Sequence, residues 1–166
     1  SVQGFKTIAY HIPVMADNKY QGSIAILIPL EKLGKQFIEN IKTGESGYGW
    51  MISKDGIELY DPHNNQPGRY AKDLYSSYPS VSDLIDKSMK ESEGTSICYL
   101  KPLSNKKKDL SKTLVAFYRV SLDNTFWTII IFTPEKEVLA KLISFRNRLY
   151  ILFSLSIIVL GIYFYL

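Results

Sequence analysis

The chain has 166 residues, 22% charged and 46% hydrophobic, with a net charge of +4. That balance is ordinary for a globular protein, and so mild a positive charge does not call for a nucleic-acid partner. A single cysteine, Cys98, excludes an internal disulfide and leaves the redox compartment open.

Taken in order, residues 5–15 are rich in β-formers, 16–19 make a polar turn, and 20–28 form a second strand. Pro29 opens an amphipathic helix, where its missing N–H costs nothing. Leu30, Leu33, Phe37 and Ile41 recur at helical spacing, and Gly44 and Gly47 end it. Residues 48–53 and 57–60 flank Lys54-Asp55-Gly56, a hairpin signal in which glycine supplies a positive φ. A polar loop over 61–68 and a tyrosine-rich irregular stretch over 70–79 follow. Ser80 is placed to cap a short helix, with Asp83 in the capping-box position and Val81, Leu84, Ile85 and Met89 as its apolar stripe. Gly94 stops it.

Three antiparallel strands are expected at 95–100, 113–120 and 126–132. Cys98 falls in the first of them, where a thiol is ordinarily buried and structural. A lysine run, Lys106-Lys107-Lys108, reads as a solvated loop tip. Thr133 and Pro134 are placed to cap and start a last helix, whose Val138, Leu142, Phe145 and Leu149 alternate steps of four and three, a short coiled-coil seam. Residues 149–166 then carry no charge, which just reaches the length of a membrane-spanning helix. The competing reading is a buried core helix, but a helix apolar on every face has no solvated side in so small a domain. Lys141, Arg146 and Arg148 precede the span, so a more basic segment is expected after Leu166 if the domain lies outside. The chain opens at Ser1 without an initiator methionine and ends inside the apolar run. Further sequence, including an output part, is expected beyond both ends.

The pattern is α+β: a PAS-like antiparallel sheet with flanking helices, followed by a long stalk and transmembrane helix. This layout resembles the double-Cache extracytoplasmic sensor domains of bacterial transmembrane receptors, in their C-terminal part. The resemblance rests on Ala9-Tyr10-His11-Ile12-Pro13-Val14 with Gly22-Ser23-Ile24-Ala25-Ile26-Leu27-Ile28, and on Gly47-Tyr48-Gly49-Trp50-Met51-Ile52 with Asp55-Gly56 and Asp61-Pro62. Residues 113–118 and Phe126-Trp127-Thr128-Ile129 complete it. It implies that 1–29 are the remnant of a membrane-distal module, 30–43 a connecting helix, and 44–133 a membrane-proximal module. Residues 134–148 would be the stalk and 149–166 the span.

Neither a metal pattern nor a catalytic constellation is present in the sequence. His11 and His63 lie far apart, no Gly-rich phosphate loop or nucleophile elbow occurs, and the acidic pairs suit turns and solvated faces. No cofactor is expected, and the chain itself is not expected to be an enzyme. What the resemblance leaves is a small-molecule pocket between the sheet and the segment crossing it. Its candidates are Trp50, Tyr60, Arg69, Tyr70, Asp73, Tyr118 and Arg119. An arginine among aromatics suits a carboxylate, so a small anionic ligand is the expectation. Tyr118 and Arg119 are strand neighbours and cannot both point into one cavity. The competing reading makes the aromatics core and the arginines surface.

The function expected is sensory input for a receptor in the bacterial cytoplasmic membrane, with the domain outside and a homodimer formed through the stalk helix. The output could be a sensor kinase, a chemotaxis domain or a cyclic-dinucleotide enzyme. The alternative is a structural or adhesive membrane-anchored ectodomain.

Overall fold

The computed structural model describes residues 6–64, 66–101 and 110–165. Phe5, the lysine run 106–108 and Leu166 lie outside the described residues. Strands β1 (Thr7–Ala16) and β2 (Lys19–Pro29) form a hairpin of their own. Its turn residues Asp17 and Asn18 both have positive φ, 49° and 58°, the geometry that matches the twist of a two-residue hairpin. Apolar side chains on both hairpin faces are exposed, among them Tyr10, Ile12, Tyr20 and Ile24.

The expected helix after Pro29 begins as α1 (Leu30–Leu33) and continues as a π-helical turn over Gly34–Ile38. The Glu39 N–H reaches the Gly34 carbonyl, five residues back, at 3.0 Å. This wider turn changes which residues face inward. Leu30, Gly34 and Ile38 are buried, whereas Phe37, expected on the apolar stripe, is exposed. The inward glycine lets the helix backbone lie directly on the Tyr60 ring.

A five-stranded antiparallel sheet follows, in the order β4 (Glu58–Tyr60), β3 (Tyr48–Ser53), β7 (Thr125–Pro134), β6 (Ser111–Leu122), β5 (Glu93–Leu100). The Asp-Gly turn forms as expected, with Gly56 at φ 73°. Two short helical elements cross between β4 and β5: α2 (Ala71–Leu74) and α3 (Pro79–Lys90). Val81, Leu84 and Ile85 of α3 cover one sheet face, against Trp50, Ile52, Val115, Phe117, Ile130 and Phe132. Leu30 and Ile38 cover part of the other, against Met51, Leu59 and Tyr60.

Three capping expectations are corrected. Tyr78, not Ser80, sits at the N-cap of α3, and its side chain makes no cap bond. The Ser80 hydroxyl instead accepts the Tyr99 N–H at 3.0 Å, tying α3 to β5. Gly94 lies within β5 rather than at the helix end; a Cβ there would meet the Phe117 ring at 2.7 Å. Thr133 and Pro134 end β7, and the last helix, α4, runs Glu135–Tyr165. The Thr133 hydroxyl pairs with that of Thr43 at 2.6 Å.

The seating of the π turn is testable. A Cβ at Gly34 would lie 2.0 Å from the Tyr60 ring. Gly34→Ala is therefore expected to destabilise by about 1–3 kcal/mol, where an unobstructed helical Gly→Ala gains up to about 1 kcal/mol. Gly161→Ala, with nothing within 4 Å, is the control. A melting temperature that is unchanged or raised in Gly34→Ala would contradict this packing.

Candidate functional site

The chemistry gathers on the α3 face of the sheet, at its β3–β4 end. Strand alternation turns Tyr48, Trp50 and Ile52 toward this face. Strand β4 and the residue after it add two carboxylates by an irregularity: Met51 pairs with Tyr60 but Ile52 pairs with Glu58, leaving Leu59 as an extra residue. Residues three apart on a regular strand face opposite sides. The bulge brings Glu58 and Asp61 to the same side, and both are fully buried. The segment 66–70 then runs back along β4. The Glu58 N–H donates to the Arg69 carbonyl at 2.8 Å, and the Gly68 N–H donates to the Glu58 carbonyl at 2.7 Å.

Around the acids stand rings. Trp50 meets Tyr75 edge-on at 5.2 Å and Phe132 at 5.9 Å; Tyr48 stacks on Phe132 at 5.0 Å and meets His63 edge-on at 4.4 Å. Asp61 is well served: its carboxylate accepts the Tyr75 hydroxyl and, at 2.8 Å, the His63 N–H. Glu58 is not. Its Oε1 accepts the Gln66 N–H at 2.8 Å, while Oε2 makes no hydrogen bond of normal geometry among the described residues. Burial pushes the Glu58 carboxyl up to about 7, with Asp61 adding to the rise; the Gln66 N–H, the Trp50 indole and Lys6 offset part of it. The Trp50 indole lies near enough to oppose the shift, though among the described residues its Nε1 makes no hydrogen bond of normal geometry. Burial, helped by Asp61, also raises the phenols of Tyr75 and Tyr48. On the same face, burial pushes the Cys98 thiol up to about 11, which keeps it unreactive.

Of the seven residues picked from sequence, Trp50 alone sits in this cluster. Tyr60 is buried on the opposite face of the sheet, within 3.5 Å of Glu39. Tyr118 is 60% exposed. Arg119 donates to the carbonyls of Met89 (2.9 Å) and Glu91 (3.1 Å) at the C-terminal end of α3, and lies 3.9 Å over the Phe126 ring. Arg69 donates to the Gln66 side chain at 2.7 Å. Tyr70 and Asp73 are exposed and share a surface cavity of about 290 Å³ with Asp86 and Met89. Glu58 was read, with Asp55, as an acidic pair of turn and surface charge; its complete burial corrects that, because the bulge at Leu59 turns it inward. Asp61 entered only through the Asp61-Pro62 pair, and Tyr75 was not singled out. Among the described residues, no group of three or more His, Cys, Asp or Glu could hold a metal ion.

A second feature lies where β7 becomes α4. Glu137, in the first turn of α4, accepts the N–H groups of Glu45 (2.7 Å) and Ser46 (3.2 Å) and the Ser46 hydroxyl. The Ser46 hydroxyl and these N–H groups hold its carboxyl below the usual range. Gly44, at φ 72°, leaves the space this grip needs; a Cβ there would lie 2.2 Å from Glu137 Oε2. With the Thr43–Thr133 pair, the loop after the π turn is clamped to the start of α4.

The raised Glu58 pKa predicts a pH signature. Below about 4.5 the group is protonated both folded and unfolded. From there to about 7 the folded chain keeps a proton that the unfolded chain has lost, so stability falls as pH rises; the penalty is complete above about 7. Glu58→Gln removes the penalty. It is expected to raise the melting temperature by roughly 5 °C at pH 8 and by no more than about 2 °C at pH 5. Equal shifts at both pH values would contradict a buried, easily protonated carboxyl.

The Cache domain family model matches residues 2–142. No curated protein sequence matches this chain. The extracellular domain of a histidine kinase, mmHK1S-Z3, superposes with a TM-score of 0.62 at 19% identity, covering 86% of this chain and 49% of that one. The periplasmic sensory domain of the Campylobacter jejuni chemoreceptor Tlp1 gives 0.62 at 14%, covering 84% and 47%. The ligand-binding domain of the Pseudomonas aeruginosa PAO1 amino-acid chemoreceptor PctB, solved with L-Arg, gives 0.59 at 20%, covering 86% and 49%. This chain thus spans about half the length of those domains. With a family match across most of its residues and a shared α+β fold, the chain belongs to the Cache domain family of sensor domains.

Proposed function

We propose that this chain is the input side of a transmembrane receptor: a Cache module outside the cytoplasm, joined by α4 to the bacterial cytoplasmic membrane and relaying small-molecule binding across it. The observation that carries this is the continuity of β7, α4 and the apolar run. β7 pairs with both β3 and β6, and α4 follows it without a break. From 149 onward α4 exposes large apolar side chains on all sides, such as Phe153, Ile157, Tyr163 and Phe164. Thirty residues of this helix, Glu135–Phe164, are long and apolar enough to cross a bilayer, and its apolar window is not buried against the domain. Water would not tolerate such a surface.

The β1–β2 hairpin fits the same reading as part of a second, membrane-distal module, because its apolar faces are exposed and α1 leads straight from it to the sheet. A shift of the hairpin would pass through α1 and the π turn to the 43–46 loop, and from there through Glu137 to α4. Val138, Leu142, Phe145 and Leu149, all exposed, form the seam through which two copies would pair. A structural or adhesive role would need no clamp at the entry to the membrane helix.

Cysteine placed at Leu142 in a Cys98→Ser background is expected to crosslink two copies in membranes under mild oxidation, well above cysteine at Asn147. Alkaline phosphatase fused after Ser144 is expected to be active. Equal crosslinking at both positions would contradict the paired stalk, and an inactive fusion with an active cytoplasmic reporter at the same site would overturn the topology.

A further inference from the structure

Charge is unevenly spread along α4. Its two acids, Glu135 and Glu137, stand in the first turn, and both are engaged within the chain. Glu135 pairs with Lys112 at 2.5 Å, and Glu137 grips residues 45 and 46. From Val138 to Leu166 the sequence holds no acid; its charges are Lys141, Arg146 and Arg148. Arg146 and Arg148 are exposed, and among the described residues neither enters an ion pair.

The register of these cations is what matters. Val138, Leu142, Phe145 and Leu149 occupy d, a, d and a of a heptad, so Lys141 and Arg148 fall at g and Arg146 at e. Positions e and g flank a paired seam, and opposite charges there ordinarily select the partner. Here every charge at e and g is positive. Two copies in parallel would line both edges of the seam with cations, and like charges across such an edge oppose association.

A membrane supplies the missing negative charge. Arg148 is the last charge before the uncharged run, and Arg146 lies about 3 Å further from that run along the helix axis. The headgroup layer of a bilayer is roughly 5–8 Å deep on each side, so both arginines stand at the level of the lipid phosphates. A guanidinium takes two oxygens of a phosphate in one fork, which suits it to this layer. A zwitterionic lipid carries its own cation beside the phosphate; an anionic lipid does not, and it attracts basic residues near the surface.

We propose that Arg146 and Arg148 bind the phosphates of anionic phospholipids, and that the stalk seam closes between two copies when those headgroups neutralise its edges. This deepens the sensory reading above and rests on its paired stalk. Anionic lipid content then sets how firmly the two membrane helices are coupled, and so acts as a second input to the receptor.

The test is disulfide crosslinking of the full chain in liposomes, in a Cys98→Ser background, with cysteine at Leu142 on the seam or at Asn147 on the outer face. The ratio of the two cancels any effect of the lipid on oxidation itself. In liposomes of phosphatidylcholine and phosphatidylglycerol the ratio is expected to be roughly fivefold or more above that in phosphatidylcholine alone. Inorganic phosphate added to the phosphatidylcholine liposomes is expected not to restore it, because the site takes a lipid. The double variant Arg146→Gln, Arg148→Gln has weaker repulsion at its edges and is expected to reach the high ratio in phosphatidylcholine. Native mass spectrometry of the parent is expected to show retained phosphatidylglycerol that the double variant loses. Equal ratios for the parent in the two lipids overturn the proposal, as does phosphatidylglycerol retention unchanged in the double variant. Restoration by inorganic phosphate overturns the lipid as its source. Seam crosslinking no higher than at Asn147 in every lipid and in the double variant sinks the paired stalk itself, which separates a failure of that reading from a failure of the lipid requirement.

Discussion

The structure depends on one strand. β7 lies in the middle of the five-stranded sheet, with ten consecutive pairings to β6 and six to β3. It carries Ile130 and Phe132 into the core beneath α3, and Trp127 and Ile129 toward the helix on the other side. Its last residue, Pro134, is followed at once by α4. A strand so tied cannot move alone, because each slipped pairing would cost hydrogen bonds and flip side chains between faces. The sheet and the first turns of α4 therefore behave as one body. The clamp from Glu137 to residues 45 and 46 extends that body to the loop leaving the π turn.

Much of this architecture was legible because local chemistry and fold agree. Asp55-Gly56 makes the turn its composition demands, the uncharged run after Arg148 forms the end of a continuous helix, and the α+β order of elements holds. What was not legible came from single-residue offsets. Phe37 left the apolar stripe because a π turn at Gly34 changed the helical period, and a period of 3.6 cannot reveal that. Glu58 and Asp61 look like residues on opposite faces until Leu59 is recognised as the extra residue of a bulge. Ser80 and Thr133 have the composition of caps, yet their hydroxyls serve Tyr99 and Thr43. Tertiary partners outbid local ones, and sequence does not show those partners.

The same offsets moved the candidate site. Arginines dominated the sequence picture because they stand out beside aromatics, but in the fold they tie elements together: Arg119 fastens β6 to the end of α3, and Arg69 steadies the segment along β4. The buried polar groups lacking partners are more informative than the exposed charges. Among the described residues, Glu58 and Trp50 each keep a buried polar atom without a hydrogen bond of normal geometry, side by side in an aromatic surround, against the general rule that buried polar groups are satisfied.

The central claim is that the 43–46 loop and α4 move together, so that events above the sheet reach the membrane helix. Pulsed electron paramagnetic resonance on the full chain in nanodiscs tests this directly, with spin labels at Asn147 in a Cys98→Ser background. The account predicts one narrow distance distribution between copies, which broadens or shifts when Glu137→Ala cuts the clamp. A distribution identical with and without Glu137 would contradict the claim.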